Sequence, residues 1–183
     1  DTILPEYREA VLTAHQMAFL QLFLHFADVS NPLKPFEVCR DWAWRVLDEF
    51  FAQGDAEKTL GVPVGMLNDR DKVNRPGSQH GFINFLVSPL VLGTVKIFHP
   101  LLPLATQMVE NLRHWHDMWV LDSSPPEEDV IKRESDITKV SDVVRALQQR
   151  AGETTKRNSF GRRSISGGRS STSAFSTKVS RVL

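Results

Sequence analysis

The sequence predicts an all-α fold. Three observations carry the prediction: apolar residues recur at three- and four-residue spacing through most of the first 121 residues, prolines stand where helices would begin, and no stretch shows strand-like alternation. At 183 residues the chain fits one domain with a tail, and formal net charge is zero. That balance argues against a general nucleic-acid binder, yet it hides a split. Residues 1–121 carry 10 Lys/Arg against 14 Asp/Glu, and residues 122–183 carry 12 against 8. A lone cysteine, Cys39, excludes an internal disulfide and fits a reducing, cytoplasmic setting. The longest apolar run, Met17 to Leu24, is broken by Gln21, so no membrane span is expected here. The chain starts at Asp1 rather than Met, which fits a processed product or a piece of a longer protein.

Pro5 suits a first helical turn, with Glu6 and Glu9 at its positive end. Val11, Leu12, Met17, Phe19, Leu20, Leu22, Phe23 and Leu24 then describe a helix expected to be buried all round towards its C-terminus. Asn31-Pro32 ends it, because the residue before proline avoids the α region. Pro35 opens a second helix. There Val38, Trp42, Val46 and Phe50 edge an apolar arc that Cys39, Ala43, Leu47 and Phe51 fill, while Trp44 falls on the polar side. Gly54 is expected to stop that helix as its C′ residue.

Residues 55–78 hold no period and read as a long loop with one short helix near Glu57, a length that is usually functional or disordered. Ser78 and Gln79 are expected to open a third helix, reaching Phe98, apolar on nearly every face and kinked at Pro89. Pro100 begins a fourth, with Leu101, Leu104, Met108, Leu112, Trp115 and Trp119 in step. The breaker Asp122-Ser123-Ser124-Pro125-Pro126 separates 1–121 from a linker, 122–150, that could form one helix with a thin apolar face. Residues 151–183 hold 8 Ser, 7 Lys/Arg and one acid, a disordered composition.

Three stretches stand out for chemistry: Ala27-Asp28-Val29-Ser30-Asn31-Pro32, Glu49-Phe50-Phe51-Ala52-Gln53-Gly54-Asp55, and Ser78-Gln79-His80-Gly81-Phe82-Ile83. Their order and separations resemble the C-terminal part of the helical, HD-type catalytic domain of class I 3′,5′-cyclic nucleotide phosphodiesterases, over roughly residues 17–120. The resemblance implies hydrolysis of cyclic AMP, cyclic GMP or both by two divalent ions, zinc with magnesium or manganese, that activate a bridging water. Asp28 matches a ligand of the tighter metal; its plain alternative is a turn cap. Gln79 matches the amide that hydrogen-bonds the purine edge, and an amide can both donate and accept; its alternative is a helix cap. Phe82 and Val46 match the aromatic and aliphatic jaws around the base, with core packing as the alternative. Phe50 and Leu67 match pocket walls, and Asn31 a polar residue near the base that leans towards cyclic AMP.

Some positions depart from the family pattern. Leu67 stands where Met or Phe is usual, Asn84 where Asp is frequent, and His80 where an aliphatic residue is common. The remaining metal ligands and the His that protonates the leaving oxygen are expected upstream, outside this chain. Residues 1–183 alone are therefore expected to be inactive, and further regulatory or membrane-tethering parts would lie outside them. The rival class is a non-catalytic nucleotide-binding or interaction module, and a homodimer is a further expectation. In the tail, Lys156-Arg157-Asn158-Ser159 resembles a substrate of cyclic-nucleotide-dependent kinases, which makes Ser159 a phosphorylation candidate. A solvated basic tail is the other reading.

Overall fold

A computed structural model describes residues 3–166, with side chains as far as 152. The chain divides into two units, Asp1–Gln148 and Gln149–Leu183. Six α-helices, α1 Gln16–Asp28, α2 Phe36–Leu60, α3 Arg75–Phe82, α4 Ser88–Ile97, α5 Leu102–Ser123 and α6 Glu127–Ser166, account for most of the described residues. The expected all-α class holds, with no strand among the described residues.

The first unit is built around α5. Its Ala105, Met108, Leu112 and Trp115 are fully buried, at 0% exposure. Trp115 receives Phe36 and Trp44 at ring-centroid distances of 5.2 and 5.3 Å. This is why Trp44, outside the apolar arc of α2, is half-buried. Against α5 also pack α3, α4 and a 3-10 turn, Asn31–Leu33. Asn111, at 0% exposure, holds that turn: its amide donates to the Pro32 and Lys34 carbonyls at 2.7 Å each and accepts from Gln107 at 3.2 Å. Cys39 is buried, and burial pushes its thiol up to about 11, which makes it inert.

Several boundaries differ from the sequence expectation for identifiable reasons. Helix α2 does not stop at Gly54 but runs to Leu60, where Gly61 takes φ +68°. The Gly61 N–H donates to Lys58 O and the Val62 N–H to Glu57 O, the paired bonds of a Schellman end. Gly54 serves packing instead, since a Cβ there would meet the Asn68 carbonyl oxygen at 2.0 Å. Gly54→Ala should therefore destabilise the fold by about 1–3 kcal/mol, as overpacking does. An unchanged urea midpoint would contradict this.

The third helix starts at Arg75, not Ser78. Asn74 accepts from the Gly77 N–H at 2.7 Å as N-cap, and Pro76 occupies the first turn. Gln79 thus lies within the helix and caps nothing. The break expected at Pro89 is a π-turn, Ile83–Val87, after which Pro89 takes a first-turn place in α4. The stretch Arg75–Ile97 is long and apolar enough to cross a membrane by length and composition. Its apolarity has a nearer cause, because Ile83, Val87, Val91 and Val95 are at 0–1% exposure in the core with α5.

The first helix departs most. A 3-10 turn, Pro5–Tyr7, and a π-turn, Ala10–Ala14, precede α1. Of its own residues only Phe26 is buried. Met17, Leu20 and Leu24 are 66%, 56% and 73% exposed, because no described residue packs on that face. Helix α6 uses the thin face expected of it, burying Ile137, Val140, Val144 and Leu147. Its helical backbone continues past 150 to Ser166, where composition alone reads as disorder. Residues 167–183, and the side chain of Ser159, lie outside what is described.

Candidate functional site

The predicted site residues fall on three pieces: the end of α1 with its following turn, helix α2 with its following loop, and helix α3.

Asp28 is the last residue of α1 and is exposed. Among the described residues its carboxylate has no hydrogen-bond or ion-pair partner, and the next turn has no side-chain cap. The capping alternative therefore has no support. Asn31 opens the turn that Asn111 fastens to α5, and it is half-buried.

On α2 the edge Val38, Trp42, Val46 is 44%, 53% and 37% exposed, with Phe50 half-buried one turn on. The opposite flank, Cys39, Ala43, Leu47 and Phe51, is the one that meets the core. Val46 is thus not a core residue among the described ones.

The loop 61–74 is fastened to the last turns of α2 by charge. Glu57 accepts from the Gly65 N–H at 2.8 Å and from Asn68 at 3.1 Å. Lys58 reaches Asp69 at 2.7 Å and Asp71 at 2.9 Å, and Arg70 pairs with Asp55 at 2.5 Å. Lys58 and then Lys72 hold Asp69 down to about 2. These contacts set the path of the loop that carries Leu67, which is 43% exposed.

Helix α3 carries the polar centre of the site. Gln79 is 6% exposed, and its Oε1 is buried with no hydrogen-bond partner among the described residues. A buried acceptor left unpaired costs about 1–3 kcal/mol. Phe82, three residues on, shares its helix face and is half-buried. Helices α2 and α3 meet through Arg75, whose guanidinium pairs with Asp48 at 2.5 Å and lies over the Phe51 and Trp44 rings at 4.8 and 5.5 Å. Arg75 and Asp48 went unnoticed in the sequence. The signal was there: Asn74-Arg75-Pro76 has the cap and first-turn proline of a helix start, which places Arg75 one turn before Gln79.

The neighbouring face of α3 is different. His80, 3% exposed, has its ring 6.2 Å from that of His116, and Arg133 of α6 lies 3.8 Å over Trp119. Burial first, then Arg133 and His116, lower His80 from 6.5 to about 4, while Asp136 opposes them. The folded protein refuses a proton that the unfolded chain accepts near 6.5. The stability His80 contributes is therefore full above pH 6.5 and is lost as pH falls from there through 4. The urea midpoint should fall across that window in the wild type and fall less in His80→Gln; parallel curves would contradict the assignment.

Three cavities of about 340, 560 and 260 Å³ are lined by other residues, the last by His80, Asn84, Phe85, Trp119, Lys132 and Arg133 among others. None is lined by Asp28, Asn31, Val46, Phe50, Leu67, Gln79 or Phe82. No group of three His, Cys, Asp or Glu able to hold a metal occurs among the described residues. The described donors thus amount to one carboxylate, Asp28, and do not fit a complete metal site by themselves.

Comparison with known proteins covers the stretch that carries these residues. The family model described as 3′5′-cyclic nucleotide phosphodiesterase matches residues 5–112. The chain belongs to this family. It is 37% identical over 97 residues to the "Probable 3′,5′-cyclic-AMP phosphodiesterase pde-4" of Caenorhabditis elegans, covering 53% of this chain and 14% of that protein. It is 35% identical over 107 residues to the 3′,5′-cyclic-AMP phosphodiesterase 4C of Mus musculus, covering 58% of this chain and 16% of that one. The solved structure of LmjPDEB1 in complex with IBMX matches at TM-score 0.55 and 32% identity, covering 58% of this chain and 32% of that chain. The chain spans a fifth or less of the lengths of these curated relatives.

Proposed function

We propose that the intact protein carrying this chain hydrolyses 3′,5′-cyclic nucleotides, cyclic AMP foremost, to 5′-monophosphates. Within it, residues 1–121 supply the base clamp and one metal ligand. The observation that carries the proposal is Gln79, a buried amide whose acceptor has no partner among the described residues and which shares its helix face with Phe82. A purine edge satisfies such an amide, donating to Oε1 and accepting from Nε2. Phe82 would stack on the base, and Val46 with Phe50 would close the other side. Stacking of this kind contributes about 1–3 kcal/mol per base. Leu67 would wall the pocket, and Asn31 would lie near the base. The preference for cyclic AMP draws on the names of the relatives, which are cyclic-AMP phosphodiesterases.

Asp28 is read as a ligand of one divalent ion, zinc being the expected metal, with magnesium or manganese beside it. A free, exposed carboxylate suits such a role. The other ligands, and the His that protonates the leaving 3′ oxygen, would come from outside residues 1–183. Such ions, when bound, lower the pKa of water and polarise the phosphoryl oxygen. The part of this chain is to bind the nucleotide and orient it. The proposal includes a kinase activated by the same nucleotide acting on Ser159, and self-association.

A second reading, nucleotide binding without turnover, rests on the same buried Gln79 amide, which can pair with a base whether or not metal ligands stand beside it. One experiment separates the two: the native protein is assayed with cyclic AMP and cyclic GMP, with and without a chelator. Product formation that the chelator stops is expected. Binding without hydrolysis in metal-replete buffer would establish the second reading, and neither binding nor hydrolysis would refute both.

A further inference from the structure

We infer that Arg75 is a positioning residue for the nucleotide clamp: it fixes which face of α3 is turned to α2, and so where Gln79 and Phe82 point. The inference rests on the clamp reading above.

At about 100° per residue, Gln79 stands about 40° from Arg75 around the helix and Phe82 about 20° to the other side. The three side chains therefore share one narrow face of α3, and only Arg75 of the three is fastened by polar contact to α2. Its fastening is threefold. The guanidinium pairs with Asp48 at 2.5 Å, lies 4.8 Å from the centroid of Phe51, which is itself 2% exposed, and lies 5.5 Å from that of Trp44. Two rings and a carboxylate around one planar group restrict rotation as well as distance.

Two other polar contacts hold this helix end: those of Asn74, and that of Arg133, which donates to the Gly77 carbonyl at 3.3 Å. Asn74 donates to Asp122 of α5 at 2.5 Å and caps Gly77, which fixes where the helix begins but not how it is turned. Among the described residues Gln79 has no partner on its oxygen to hold it in place. Its direction is inherited from the helix, and the helix takes its rotation from Arg75. Lysine could keep the ion pair but would replace the broad guanidinium over Phe51 and Trp44 with a compact ammonium.

The test is a double-mutant cycle in the native protein, read by the KM and kcat of cyclic AMP hydrolysis and by the Kd of cyclic AMP. Arg75→Met should raise KM about tenfold with kcat within about threefold, since misplacement on the order of 1 Å costs as much as 10²-fold. Arg75→Lys should fall between it and wild type. In a Gln79→Ala background Arg75→Met should add little, because the group it directs is gone. Asp48→Asn, a change at a side chain 64% exposed, repeats the test if Arg75→Met does not fold. Losses that add fully in the double mutant, or a KM unmoved by both Arg75→Met and Asp48→Asn, would overturn the inference while leaving the clamp reading intact. A wild-type protein that neither binds nor hydrolyses cyclic AMP would overturn both.

Discussion

Gln79→Ala in the native protein should raise the KM for cyclic AMP roughly five- to a hundredfold and leave the thermal midpoint no lower than wild type. The first expectation follows from the two hydrogen bonds an amide makes to a purine edge, each contributing about 0.5–1.5 kcal/mol. The second follows from Gln79 itself. Its Oε1 is buried without a partner among the described residues, so truncation there removes an unsatisfied acceptor rather than a contact. Binding and stability should therefore part company. Steady-state kinetics beside a melting curve check both at once. A loss of stability with KM unchanged would make Gln79 a core residue and nothing more.

Asp28→Asn should reduce hydrolysis of cyclic AMP by about 10²-fold or more, with lower metal content in the purified protein. Neighbours that merely orient metal ligands cost about 10–100-fold when mutated, so a ligand should cost at least that. Folding should be unaffected, because Asp28 is exposed at the end of α1 and has no partner among the described residues. Elemental analysis of the metal, beside kcat, is the check. Full activity and metal content in the variant would return Asp28 to the solvent.

Much of the architecture was legible because its signals are local. The helix starts at Pro35 and near Pro100, the break at Ser124-Pro125-Pro126 and the thin face of α6 all follow from proline chemistry and helical period, and each is found where expected. What was misread depends on contacts distant in sequence. Gly54 reads as a helix end because glycine commonly is one, but only the approach of Asn68 reveals that it is needed inside the helix. Pro76 reads as loop punctuation until Asn74 is seen to cap the turn after it. The apolar pattern of α1 runs all round the helix, yet a pattern cannot say what covers it: Phe98 packs on Phe19 and Phe23, while no described residue covers Met17, Leu20 and Leu24.

The candidate site divides in the same way. Asp28, Gln79 and Phe82 stand out in the sequence as candidates because their motifs are short and contiguous. Arg75 does not, since its importance lies in Asp48, Trp44 and Phe51, which come from another helix. His80 looked like a neutral replacement of an aliphatic residue. Only its burial beside His116 and Arg133 makes it a titrating element of the fold.

The central claim is that α2 and α3 grip a purine. It is tested most directly by photolabelling the native protein with an azido-adenine analogue of cyclic AMP and locating the adduct by mass spectrometry. Labelling of the segments 46–58 and 73–96, abolished by excess cyclic AMP and reduced in Gln79→Ala, is the predicted result. Labelling confined to other segments, or undiminished by cyclic AMP, would contradict it.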